Sequence, residues 1–151
     1  RGAMTYDITE VGYNYRMDDI RGALGLVQLA KLPGYIEKRQ KLVDYYHSRL
    51  DTIAGITCPR HGSRGVPAHY ILPVRVDQRI DRDAVRNSMA TAGIQTSMHY
   101  PPVHYFAHYA SGTWELPITE LIGDVALSLP LYPHLTFEQI DLVCEALSAA
   151  L

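Results

Sequence analysis

The sequence predicts an α+β fold: a small, mostly antiparallel sheet with helices on one face. Three observations predict it. Short apolar runs bounded by proline and glycine interrupt stretches of helical periodicity. The elements read helix, helix, strand, strand, helix, strand, helix, strand, helix, and short strands among helices fit two packed layers. The chain has 151 residues, 47% of them hydrophobic, which is enough for one medium core.

Residues 1–16 read as irregular or extended. A helix starts near Asp18, where Asp18 and Asp19 suit the positive end of its dipole. Ile20, Leu24 and Val27 recur at helical spacing, and Ala23, Leu26 and Leu29 widen the apolar face. A helix apolar nearly all round is expected to be buried on several sides. Pro33 is expected to begin a second helix, since proline suits the first turn. Its apolar positions are Ile36, Val43, Leu50 and Ile53, with Leu42 and Tyr46 beside them, and it ends by Gly55. Neither opening helix is needed to cover so small a sheet. Both are expected to pack on something outside this chain or on a partner chain.

A strand over 56–58 stops at Pro59, and 60–67 form a glycine-rich loop. The strongest strand covers 68–76, although Pro73 argues against a central position. Asp81 is an N-cap for a helix over 82–92, closed by Gly93. A strand over 94–99 leads into a proline, aromatic and histidine loop reaching Trp114. A short helix begins at Leu116 and Pro117, and a strand covers 127–129. Thr136 and Gln139 make a capping box for a last helix carrying Phe137, Ile140, Val143, Cys144 and Leu147.

Composition narrows the function. The net charge of −2 gives no case for nucleic acid or an anionic membrane, which favour basic patches. No apolar stretch approaches the roughly 20 residues of a membrane span. Cys58 and Cys144 are far apart and outside any C-x-x-C pair, so they read as reduced thiols of a cytoplasmic protein.

Three segments carry candidate chemistry. In the first, Asn14 and Arg16 offer an amide and a forked cation just ahead of a helix N-terminus, which suits a phosphate or carboxylate. The plainer reading is an arm in which Arg16 pairs with Asp18 or Asp19. The second runs over 99–109, where His99, His104 and His108 could in principle bind zinc. Its proline pair and the lack of a nearby Cys or acidic ligand argue against a metal. A substrate-facing loop fits its aromatics and switchable donors, and a packed surface loop is the alternative. The third joins 116–120 with 127–133 and reads as a helix start and a strand-turn. Glycine loops of the G-x-x-x-x-G-K and G-x-G-x-x-G types and a G-x-S-x-G elbow are lacking. Lys31, Lys38 and Lys41 read as solvated charges, so no catalytic residue is assigned.

Taken together, these segments resemble a known family. The run Gly12-Tyr13-Asn14-Tyr15-Arg16-Met17-Asp18-Asp19, continuing to Leu29, closely resembles a signature of the DegT/DnrJ/EryC1/StrS aminotransferases. The pattern continues through Gly93-Ile94-Gln95-Thr96, His99-Tyr100-Pro101 and His104, and then through 116–120 and 127–136. The resemblance implies the C-terminal domain of a fold type I enzyme dependent on pyridoxal phosphate. Residues 1–32 would be an arm and interdomain helix, and 33–151 the small domain. Such enzymes act as homodimers and usually move an amino group from glutamate to a keto group of a nucleotide-linked sugar. By that match Asn14 would contact the cofactor phosphate in the neighbouring subunit. Arg16 would hold phosphate or substrate carboxylate, and His99, Tyr100 and His104 would lie near the sugar. The family's covalent lysine precedes the matched segments, so this chain alone is expected to lack transaminase activity. A related sugar dehydratase, or a stand-alone binding or oligomerisation module, are the alternatives.

Overall fold

The computed structural model describes residues 12, 13, 15–60, 62, 65–109 and 112–151. They fall into two compact units, one ending at Pro33 and one spanning Gly34–Leu151.

The first helix, α1, runs unbroken over Asp19–Leu50 with Pro33 inside it. Two helices were the expectation. Pro33 removes one donor, but its fixed φ is itself helical, so the helix carries across it even though Gly34 follows. Asp18 caps the start: its Oδ1 accepts from Arg21 N at 2.8 Å, and its Oδ2 pairs with Arg21 Nη1 at 2.7 Å. Before Pro33 the apolar side chains stay uncovered, with Ile20 83%, Leu24 59% and Val27 52% exposed. After it, Leu42, Val43, Tyr46 and Leu50 enter the core. That half of the helix therefore packs within the chain, contrary to the expectation for both opening helices.

The sheet has three antiparallel strands in the order β1-β2-β3: β1 Ile56–Thr57, β2 Leu72–Val76 and β3 Ala126–Leu129. Ile56 pairs with Val76, and Val74 pairs with Leu127. The α+β expectation holds, with shorter strands. The run expected over 68–76 is cut by His69, whose φ of +47° cannot continue a strand. His69 is buried, its Nε2 lies 2.6 Å from Gln40 Oε1, and Arg39 Nε donates to Ala68 O at 2.9 Å.

Pro73 sits in the central strand, against expectation, for a geometric reason. Its partner Ser128 turns both backbone groups the other way, toward Ser97. Pro73 and Ser128 are thus a non-hydrogen-bonded pair, and Pro73 directs its missing donor toward β1. The register of β1 on β2 would set Pro59 against Pro73. Neither residue has an N–H, and the ladder has already stopped at Thr57.

Helix α2, Arg82–Thr91, is capped by Asp81, which accepts from Asp83 N and Ala84 N. Gly93, with φ +80°, closes it in the left-handed conformation. Helix α3 covers Pro117–Val125, and α4 covers Phe137–Ala149 with both bonds of the Thr136–Gln139 capping box formed. Leu72, Val74, Val76, Leu127 and Leu129 meet side chains of α1, α2 and α4 in one core. Helix α3 gives nothing to that cluster. Among the described residues no helix is long and apolar enough to cross a membrane.

Candidate functional site

Between α2 and α3 the chain forms the site loop. Ile94 N bonds back to Met89 O at 2.9 Å, completing the α2 cap. The strand expected over 94–99 shrinks to one bridge, Ser97 to Ser128. Ser97 N donates to Ser128 O at 3.1 Å, and Ser128 N donates to Ser97 O at 2.7 Å. This bridge fixes where His99 leaves the sheet: its Nδ1 lies 2.9 Å from Ser128 Oγ. The His99–Tyr100 peptide is cis. The Tyr100 ring stands edge-on to the His99 ring at 5.0 Å and is 70% exposed.

Pro102 is buried and packs on α3 where Gly123 leaves room; a Cβ at Gly123 would come within 2.7 Å of the Pro102 ring. A 3-10 turn, Val103–Tyr105, follows. It presents His104 to α3, where Nε2 lies 3.0 Å from Glu120 Oε1 and the imidazole is 9% exposed. Burial first, then the Glu120 and Asp124 carboxylates, push the neighbouring Tyr105 phenol up. At the start of α2, Arg82 Nη1 donates to Ala126 O at 3.0 Å, tying that helix to the end of α3.

His99 lines a groove of roughly 260 Å³ together with Tyr70, Gln95, Ser97, Ser128 and Leu131. Its walls are rich in hydroxyl, amide and imidazole groups. Its volume is below that of a site enclosing a drug-sized ligand, so it suits part of a larger polar molecule. A wider groove of about 550 Å³ lies along Thr57, Arg75, Leu121 and Ile122. There Arg79 Nε and Nη2 each lie 2.9 Å from an Asp77 oxygen, which spends both charges on each other. The Arg79 guanidinium holds the Asp77 carboxyl well below the usual carboxylate range.

Of the residues singled out in the sequence, Asn14 lies outside the described residues. Arg16 is exposed, two residues ahead of the capping Asp18. His99, Tyr100 and His104 share one loop in three settings: anchored to the sheet, exposed, and tied to α3. Among the described residues no three His, Cys, Asp or Glu side chains converge on a metal position. Ser128 and Glu120, the partners of His99 and His104, were not singled out from the sequence. The available signal for Ser128 was a hydroxyl at the centre of an otherwise apolar strand.

Comparison with known proteins gives this geometry a context. GDP-perosamine synthase of Escherichia coli O157:H7 is 27% identical over 91% of this chain and 37% of its own length. The dTDP-4-dehydro-2,3,6-trideoxy-D-glucose 4-aminotransferase of Saccharopolyspora spinosa is 33% identical over 95% of the chain and 37% of its own. The crystal structure of the aminotransferase TlmJ from Streptoalloteichus hindustanus superposes with a TM-score of 0.87 at 27% identity, covering 95% of this chain and 39% of TlmJ. The chain thus spans under two fifths of the length of these relatives. Residues 1–148, almost the whole chain, match one family model, and the chain belongs to the DegT/DnrJ/EryC1/StrS aminotransferase family.

Proposed function

We propose that this chain is the C-terminal domain of a pyridoxal-phosphate-dependent aminotransferase. The enzyme moves an amino group from glutamate to a keto group of a nucleotide-linked sugar in the cytoplasm. The observation that carries this reading is the family match over residues 1–148. It is supported by two relatives whose names specify GDP- and dTDP-linked sugars. Residues 1–32 form the arm and interdomain helix, and 33–151 the small domain.

Two polar groups are assigned to part of the cofactor. Arg16, an exposed residue, with Asn14 two positions before it, suits a phosphate. The three lysines all lie exposed on α1, so none offers the desolvated amine that a covalent link needs. Bound pyridoxal phosphate supplies the electron sink for amino transfer. This domain's share is binding and orientation. His99, Tyr100 and His104 lie near the sugar, His104 being held by Glu120. A second copy of the enzyme covers the uncovered Ile20, Leu24 and Val27 in a homodimer.

The test is an assay of the enzyme carrying this domain, with glutamate as donor and GDP- or dTDP-linked keto sugars as acceptors. Matched formation of 2-oxoglutarate and an amino sugar supports the reading. Dehydration of the sugar without 2-oxoglutarate, or no turnover, overturns it. The isolated chain, incubated with glutamate and pyridoxal phosphate, is expected to turn over no faster than free cofactor.

A further inference from the structure

Ser128 is held more rigidly than a surface serine. Its backbone pairs with Pro73 on one side and exchanges two hydrogen bonds with Ser97 on the other. Alternation along β3 sends Leu127 and Leu129 into the core, so the Ser128 hydroxyl lies on the opposite face. It is nevertheless only 5% exposed. Among the described residues its Oγ has one hydrogen-bond partner, Nδ1 of His99 at 2.9 Å. Ser97 Oγ lies farther from that nitrogen, at 3.5 Å, and Ser97 is exposed.

A hydroxyl has a single proton to give. In a residue only 5% exposed it gains by donating to the acceptor at hand, and a buried donor left unpaired is costly. If Nδ1 carried the imidazole proton and donated to Oγ, the hydroxyl proton would have no acceptor among the described residues. If Nδ1 accepts, the hydroxyl is satisfied and the neutral ring carries its proton on Nε2. Among the described residues Nε2 makes no hydrogen bond. It is therefore the ring nitrogen left for a ligand, and His99 lines a groove.

From this geometry we infer that Ser128 is a positioning residue that locks His99 into the Nε2–H tautomer and fixes the direction of its ring. His99 then meets its ligand as a preset hydrogen-bond donor. The chemical class it recognises is an acceptor oxygen: a sugar hydroxyl, a carbonyl or a phosphate. The identity of that ligand rests on the proposed sugar-binding role of His99. The lock itself does not, because it is complete within this chain.

The experiment is long-range ¹H–¹⁵N NMR of the imidazole in the full chain, at a pH where His99 is neutral. The expected pattern is one tautomer, protonated at Nε2, with Nδ1 shifted as a hydrogen-bond acceptor. Ser128→Ala should lose the single-tautomer pattern and give a mixture, Ser128→Thr should restore it, and Ser97→Ala should leave it unchanged. A wild-type ring protonated at Nδ1 overturns the inference, and this reading needs no variant to fold. A Ser128→Ala protein with dispersed amide resonances and an unchanged tautomer also overturns it. The sugar-binding role is tested apart, by His99→Gln in the whole enzyme. An unchanged KM for the keto sugar defeats that role and leaves the tautomer lock standing.

Discussion

Nε2 of His104 lies 3.0 Å from Oε1 of Glu120, and this contact fastens the 3-10 turn of the site loop to α3. The imidazole is 9% exposed, so losing its partner leaves a nearly dry polar atom unpaired. Glu120→Leu should lower stability by about 1–3 kcal/mol. Glu120→Gln keeps an acceptor and should lose less. Urea denaturation midpoints compare the two, and equal losses would contradict the role assigned to the bond.

Gly123→Ala sets two effects against each other. Alanine is favoured over glycine within a helix by about 1 kcal/mol. The added Cβ, however, would come within 2.7 Å of the Pro102 ring, and a proline ring cannot rotate away. Overpacking costs typically ~1–3 kcal/mol, so the net effect should be destabilising. The His104 ring resonances should shift with it, because Pro102 immediately precedes the turn. A more stable protein with unmoved His104 signals would refute this account.

The core should respond more to lost volume than to a lost hydrogen bond. Ile140 is fully buried in the central cluster. Ile140→Ala should cost about 2–5 kcal/mol. Tyr46 is equally buried, and its hydroxyl donates to Pro130 O at 2.9 Å. Tyr46→Phe keeps the ring and should cost about 1 kcal/mol. Chemical denaturation of both variants checks the order.

Alkaline pH should unfold the protein partly through Cys144. Burial, reinforced by Asp141 and Glu145 and opposed by Arg49, pushes its thiol from the ordinary 9.0 up to about 11. Between those values the unfolded chain has released this proton and the folded chain still holds it. Raising the pH therefore favours unfolding. The stabilisation is complete below pH 9 and is lost on the way to about pH 11. A difference of that size corresponds to about 2–3 kcal/mol. Stability curves of wild type and Cys144→Ala should converge by about that amount over this window, and parallel curves would exclude the effect.

The sequence by itself determined the local starts and stops and the apolar faces. Asp81, Gly93 and the Thr136–Gln139 box act within a few residues of themselves, so spacing alone reveals them. The order of family segments was legible for the same reason. Tertiary structure decided the rest. Leu42 and Tyr46 of α1 find their partners across the sheet rather than in another chain. Pro73 is tolerated at the sheet centre because Ser128 turns away from it and β1 stops short. Ser128 and Glu120 reach His99 and His104 across 29 and 16 positions of sequence. Contacts of that span depend on how the elements pack, and one-dimensional spacing carries no distance between them.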